Sequence, residues 1–431
     1  MKIYVLSLGC AKNRVDSECL AGELKRAGHK LVDDVSLAEI GIVNTCGFIR
    51  PAVEESVSAI LDLEQLKFEG KLKKIGVVGC LVNRYSKDLK NDIPAVDFWA
   101  ESEDWGFVLK ALGNEIPTER CRSILPSSSK FTRYLKISEG CNNRCTYCTI
   151  PSIRGELRSL PLKTIVSEAQ QLVSNGAREL CLVGQDLTVY GTDMSDKSSL
   201  IELLDALESS LPDNIWLRLL YLHPSRITTK LLERVAFGKQ ILPYLDVPIQ
   251  HGDSRILKSM NRGISDEELL AIFTKAREIN PDFALRTTCL VGFPGEKKTH
   301  FDKMLGFISK VKFDRMGAFT FFPEEGTVAF KMAGQVSELT KKKRLGALMN
   351  LQEEISFERQ QLFVGKELDV LIENVEREFG FAEGRSFREA PEVDGLIEVR
   401  NISDELKEGD VVKVLLTEAM PHDMVGEEVQ K

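Results

Sequence analysis

No run of apolar residues in this sequence approaches the length of a membrane span, and its start, MKIYVLSLGC, has one Lys and no long apolar signal-peptide core. These absences argue against a helical membrane protein and a secreted one, so the cytoplasm is the expected compartment. A disulfide framework is disfavoured as well, because cytosolic thiols are kept reduced and ten cysteines there point to metal or redox chemistry. Basic charge is scarce at the C-terminal end. Residues 361–431 hold 8 Lys and Arg against 18 Asp and Glu, a net charge of −10, while the 49 basic and 47 acidic residues before them leave +2. Such a segment repels polyanions and attracts cationic partners. An acidic surface with no partner is the plainer alternative. At 431 residues and 43% apolar content, the chain is long enough for two or three domains with sizeable cores.

The stretch that organises the rest is CNNRCTYCTIP, Cys141 to Pro151, with cysteines at 141, 145 and 148. Three thiolates from one tight loop can hold a 4Fe-4S cluster and leave its fourth iron open to a substrate. A structural zinc would want four closed ligands. Apart from Cys181, no Cys or His lies in the forty residues after Cys148.

Before this loop, three strand-like runs each lead into a cysteine: Ile3 to Leu8 before Cys10, Ile40 to Asn44 before Cys46, and Ile75 to Gly79 before Cys80. Helix-like stretches, Asp16 to Ala27 and Pro51 to Leu66, lie between them, and Ala95 to Trp99 reads as a fourth strand. Alternating strands and helices imply a parallel sheet, in which function gathers beyond the carboxyl ends of the strands. The three cysteines are therefore expected to converge. Each singly could be a buried structural residue; together they point to a second 4Fe-4S cluster. Cys19 and Cys121 lack this context and read as structural, and 113–129 reads as the connection out.

Six further strand-like runs follow: Tyr134 to Ser138, Glu179 to Gly184, Trp216 to Leu222, Pro243 to Ile249, Leu285 to Gly292 and Met316 to Phe322. Amphipathic stretches, among them Leu162 to Ser174, Leu200 to Leu211, Asp266 to Ile279 and Thr299 to Val311, separate them. This is repeated βα, expected to curl into an incomplete (β/α)6 barrel with its site at the carboxyl ends of the strands. Beyond the cluster loop, those ends carry Gln185 and Asp186, Tyr221 and His223, Gln250 and His251, Gly292 to Glu296, and Glu324 to Thr327. Cys181 and Cys289 fall inside strands and read as core. Leu339 to Phe363 has helical periodicity, and its Lys341 to Arg344 run reads as a solvated helix face rather than a nucleic-acid contact. Four short strand patterns, Leu368 to Glu376, Gly380 to Ser386, Gly395 to Asn401 and Asp410 to Met420, then suggest a small all-β barrel.

The cysteine triplet with Tyr147 before its last member resembles the radical S-adenosylmethionine (AdoMet) superfamily signature. SLGCAKNRVDSE (Ser7 to Glu18), NTC (Asn44 to Cys46), CNNRCTYCTIPSIRG (Cys141 to Gly155), LVGQDLTVYG (Leu182 to Gly191) and VGFPGE (Val291 to Glu296) resemble the methylthiotransferases within it, over the whole chain. The resemblance implies an N-terminal cluster domain (1–125), a radical AdoMet domain with a bridging helix (130–360) and a C-terminal TRAM domain (361–431). It assigns Cys10, Cys46 and Cys80 to an auxiliary 4Fe-4S cluster and Cys141, Cys145 and Cys148 to the radical cluster. It puts Tyr147 near the adenine, with Gln185, Asp186, Tyr221, Gly292 and Gly295 as candidate AdoMet contacts. DVPIQH (Asp246 to His251), FFPEEGT (Phe321 to Thr327) and RSFREAPEVDG (Arg385 to Gly395) resemble the branch that modifies an aspartate of small-subunit ribosomal protein S12, whereas another branch modifies a tRNA adenosine. That chemistry implies an electron donor such as flavodoxin or ferredoxin, a sulfur source and no membrane. A non-catalytic iron-sulfur or RNA-binding protein is the remaining class, and the AdoMet features argue against it.

Overall fold

The computed structural model describes residues 1–115, 122–125 and 128–429, so Cys121 and part of the connection at 113–129 lie outside the described residues. The N-terminal sheet is five-stranded and all parallel. Lys2–Ser7 lies between Lys30–Val32 and Ile40–Thr45, and Lys74–Gly79 and Phe98–Ala100 follow outward from Ile40–Thr45. The three strands that lead into cysteines are therefore immediate neighbours, paired Ser7 with Asn44 and Thr45 with Gly79. Ile40–Thr45 is buried at all six positions, as a central strand with both faces covered requires. The edge strand Lys30–Val32 was not legible beforehand. It has three residues and none is buried.

The central segment forms six parallel strands, Thr132–Lys136, Glu179–Val183, Trp216–Leu219, Tyr244–Asp246, Ala284–Val291 and Arg315–Thr320. They pair as two three-stranded sheets, and a parallel bridge from Leu217 to Ile241 joins them into one open curl. The largest apolar core lies between these strands and the helices outside them, including Leu162–Ser174, Leu200–Ser210 and Asp266–Ile279. The last two begin with reciprocal caps, Ser199 with Glu202 and Ser265 with Glu268. Cys181 and Cys289 are fully buried in this layer.

The C-terminal segment is a closed five-stranded barrel. Its fifth strand, Met424–Glu428, pairs with both Ile397–Arg400 and Val411–Ala419 and so completes the closure. Closure removes exposed sheet edges. The long helix Glu338–Gln361 bridges the two parts, and its basic run corrects the sequence reading. Lys342 and Lys343 are exposed, but Lys341 is 2% exposed and donates to Phe321 O at 2.7 Å, and Arg344 reaches Glu296 Oε1 at 2.7 Å. Half of the run is an inward clamp on the barrel.

RSFREAPEVDG is the docking loop of the C-terminal barrel. Arg385, 1% exposed, reaches Glu179 Oε2 at 2.7 Å, and Arg218 holds the other carboxylate oxygen at 2.6 Å. Arg315 meets Glu389 at 3.0 Å, and Tyr244 donates to Asp394 at 2.6 Å. Arg388 is equally buried, on Gln360 and Asp314. Arg385 and Arg388 thus hold the domains together rather than forming a basic face. Among the described residues no helix is long and apolar enough to cross a membrane.

Candidate active site

Cys10 caps the Ala11–Arg26 helix, Cys46 follows Thr45 directly, and Cys80 opens the helix Cys80–Asp92. Asn13 stitches these ends: its Nδ2 donates to Leu8 O and Thr45 O, both at 2.9 Å, and its Oδ1 lies 3.6 Å from Cys80 Sγ. Asn44 Nδ2 returns the contact to Asn13 O at 2.9 Å. Gly9, at φ +86°, has no room for a side chain, because a Cβ there would meet Cys46 Cβ at 2.9 Å. The strand ends therefore bring Cys10, Cys46 and Cys80 to one place.

The second triad is held by backbone. Cys141 N donates to Gly155 O at 3.1 Å, Cys148 N to Cys145 O at 3.1 Å, and Thr146 N to Met260 O at 3.1 Å. Tyr147 packs with Ile256, Met260, Phe293 and Phe321. Burial pushes the Cys46 thiol up to about 11 and the Cys148 thiol up to about 12. Such thiols stay protonated and inert unless a metal takes them as thiolates, and metal binding then releases the protons. The donor sets suit iron-sulfur clusters.

The two triads are interlocked. Thr149 Oγ1 donates to Phe48 O at 3.2 Å, and Asn83 Nδ2 to Ile153 O at 2.8 Å. Arg154, six residues past Cys148, donates from Nε to Cys80 Sγ at 3.1 Å and also bonds Asn13 Oδ1. Its Nη1 meets Asp16 at 2.7 Å and Glu139 at 3.1 Å. Asp16, Glu103 and Glu139 resemble a metal cradle, but Lys136 Nζ already fills it, at 2.5, 2.7 and 3.0 Å from the three. Lys136 and Arg154 outweigh burial and hold the Glu139 carboxyl down at about 2.

At the barrel mouth, Asp186 accepts from Asn143 of the cluster loop and from Arg226, each at 2.9 Å. Gln185 Nε2 donates to Glu139 at 2.6 Å, and its buried Oε1 has no partner among the described residues. Gly292 N donates to Glu296 Oε2 at 2.7 Å and Gly295 N to Gly334 O at 2.9 Å, so both amides are engaged within the protein. Each glycine has positive φ, and a Cβ on Gly292 would strike Lys341. Tyr221 is a non-glycine residue at φ +65°, and its ring lies beneath the Lys12 ammonium at 3.7 Å. Burial, reinforced by Arg262 and Arg226, pushes His223 down to about 3, so it is neutral at physiological pH.

Arg262 escaped sequence reading. It is 7% exposed, donates to Pro248 O at 2.6 Å, lies 3.7 Å from Cys145 Sγ, and its buried Nε has no partner among the described residues. No local pattern marks it, because it follows a six-residue helix, Ser254–Ser259. Lys12, Asn13 and Arg154 do sit inside cysteine motifs, and adjacency to Cys10 and Cys148 was the available signal. Unpartnered polar atoms on Arg262 and Gln185 fit a polar ligand beside the cluster loop, as AdoMet would be.

An open parallel barrel with a Cys-x3-Cys-x2-Cys loop at its carboxyl end defines a radical AdoMet enzyme, a class that uses a 4Fe-4S cluster and AdoMet. Family models match in three blocks: uncharacterized protein family UPF0004 over residues 2–101, the radical SAM superfamily over 135–308 and the TRAM domain over 364–429. The ribosomal protein uS12 methylthiotransferase RimO of Aquifex aeolicus is 41% identical over 100% of this chain and 98% of its own. That of Carboxydothermus hydrogenoformans is 40% identical over 99% of each. Among solved structures, the radical AdoMet methyltransferase TsrM of Kitasatospora setae superposes with a TM-score of 0.55 at 13% identity, covering 76% of this chain and 73% of that one. At such identity it reflects the fold alone. The chain belongs to the RimO family of ribosomal protein uS12 methylthiotransferases.

Proposed function

We propose that this enzyme inserts a methylthio group at the β-carbon of an aspartate in ribosomal protein uS12, using two 4Fe-4S clusters. Cys141, Cys145 and Cys148 hold the radical cluster, and Cys10, Cys46 and Cys80 the auxiliary one. The observation that carries this reading is the interlock: Arg154, at the end of the short helix Ile150–Arg154 that follows Cys148, touches Cys80 Sγ at 3.1 Å. Two triads fastened to each other fit a reaction whose two halves must meet at one carbon.

An aspartate β-carbon is not acidic, so sulfur cannot displace its hydrogen directly. When bound, the clusters and AdoMet supply a radical that takes this hydrogen and a methylthio group that replaces it. The chain's own residues position and enclose. Tyr147 offers an apolar wall for the adenine, while Gln185, Asp186, Tyr221, Gly292 and Gly295 shape the AdoMet cavity. The two glycines do so through backbone form. Arg262 supplies a buried cation beside Cys145 that suits the AdoMet carboxylate. The network of Asp16, Glu103, Lys136, Glu139 and Arg154 seals the seam between the domains against water.

The domains are taken as 1–125, 130–360 and 361–431. An electron donor such as flavodoxin or ferredoxin and a sulfur source complete the requirements, and the cytoplasm is the matching compartment. The acidic C-terminal segment favours a basic ribosomal protein over tRNA, because phosphate binding rests on Lys and Arg releasing counterions. Anaerobic incubation with AdoMet, reductant, sulfide and either uS12 or tRNA, read by mass spectrometry, tests the proposal. Methylthiolation of tRNA with uS12 unmodified would refute it.

A further inference from the structure

The basic side chains at the barrel mouth divide by their partners. Lys136 and Arg154 sit on Asp16 and Glu139, and Arg226 on Asp186. Arg262 leans on Pro248 O and Cys145 Sγ. Lys12 stands apart. It lies two residues past Cys10, on the first turn of the helix that starts there, yet its ammonium reaches out of the N-terminal domain over the barrel. Its partners are Gly184 O, at a long 3.5 Å, and the face of Tyr221 at 3.7 Å, both at carboxyl ends of barrel strands. Among the described residues it forms no ion pair at contact distance, Glu139 acting on it only from further off, and it is half-buried. An ammonium has three N–H donors, and one weak bond to a carbonyl leaves capacity for a further acceptor.

Tyr221 is held for this role. A non-glycine residue at positive φ is strained, and such strain persists only where the surroundings fix it. Here the Asp246 carboxylate accepts from Tyr221 N at 3.0 Å. The result is an aromatic floor beneath a cation, and cation–π contact stabilises a charge that has lost part of its water. The fold thus keeps one cation uncommitted between the Cys10 triad and the barrel mouth.

On the reading that the substrate is an aspartate side chain, we infer that Lys12 binds the carboxylate of that aspartate and thereby selects it over neutral residues. The carboxylate adjoins the β-carbon. Pinning it at Lys12, with Cys10 on one side and the barrel on the other, puts that carbon between the two triads. The AdoMet carboxylate is left to Arg262, which lies beside the other triad. An amide in place of the carboxylate would leave Lys12 without its counter-charge, and a site built for a group rejects the analogue that lacks it.

The test compares full-length wild-type enzyme with Lys12→Met and Lys12→Arg, on uS12 and on uS12 carrying Asn in place of the modified aspartate. Methylthiolation, 5'-deoxyadenosine release and iron content are each measured. Wild type is expected to prefer the aspartate protein by about ten- to a hundredfold in kcat/KM, the range for a hydrogen bond to a charged group. Lys12→Met should bring that ratio close to one, with iron content and 5'-deoxyadenosine release retained, and Lys12→Arg should restore most of the preference. An unchanged preference in Lys12→Met overturns the inference. So does loss of iron or of AdoMet cleavage in both variants, which would make Lys12 a support for a cluster or for AdoMet. If wild type leaves uS12 unmodified and modifies tRNA, it is the functional reading that has failed.

Discussion

The two cysteine triads reach similar ends by different routes. Cys141, Cys145 and Cys148 come from eight consecutive residues, and their geometry is fixed by bonds within the loop and to Gly155 and Met260. Cys10, Cys46 and Cys80 lie dozens of residues apart and meet because three strands are neighbours in one parallel sheet. The first triad is legible without any fold. The second becomes a site only once strand order is known, and it depends on the side chains of Asn13 and Asn44 that tie the strand ends. A local site should tolerate loosening of the domain, and a sheet-borne one should not.

The largest expected effect comes from the local triad. Replacing Cys141, Cys145 and Cys148 with Ala should lower reconstituted iron from about eight to about four per chain and abolish both 5'-deoxyadenosine release and methylthiolation. Iron analysis and product assays check this. An iron content that stays at about eight would remove the contrast altogether.

Next is the C-terminal docking. Glu179→Gln leaves Arg218 and Arg385 buried with less counter-charge, and removing one partner of a buried pair costs about 3–5 kcal/mol. Arg385 and Arg218 overcome burial to hold the Glu179 carboxyl at about 2. Its folded pKa lies below the unfolded value, so this stabilisation is complete above pH 4.5 and is lost as the pH falls towards about 2. Denaturant unfolding across that window should show wild type losing more stability than Glu179→Gln.

Arg154→Met should cost less, about 1.5–3 kcal/mol for hydrogen bonds to charged groups, because Lys136 still neutralises Asp16 and Glu139. The loss should fall on the sheet-borne triad. Iron bound at Cys10, Cys46 and Cys80 should be released faster on chelation than iron at the loop, and equal release rates would break the asymmetry. The smallest effect is on encounter. Raising salt from low to physiological strength should increase KM for uS12 several-fold while leaving kcat unchanged, because the acidic C-terminal surface acts through screened charge. Steady-state kinetics across a salt series checks it.

Periodicity made much of the fold legible. The helix spans 162–174 and 266–279 were readable to the residue, and so were the six barrel strands in outline. The short exposed strand Lys30–Val32 carries too little pattern to detect. Met424–Glu428 is identified by its pairing with Ile397–Arg400, a long-range partner no local window contains. Charged residues were the least legible. Lys341, Arg385 and Arg388 look like surface residues in sequence, yet each is buried because a partner from a distant element meets it: Phe321 O, Glu179 and Asp314. In the candidate site, the cysteines were found from spacing and strand ends. Lys12 had only its adjacency to Cys10 as a signal, since the groups it reaches come from the barrel, and Arg262 had no local pattern at all.

The most direct test of the account is a Cys10, Cys46 and Cys80 triple Ala variant assayed anaerobically with AdoMet, reductant and uS12. The account predicts continued release of 5'-deoxyadenosine with no methylthio group added to uS12. Loss of AdoMet cleavage while the loop cluster remains assembled, or a methylthiolated product made without the second triad, would contradict it.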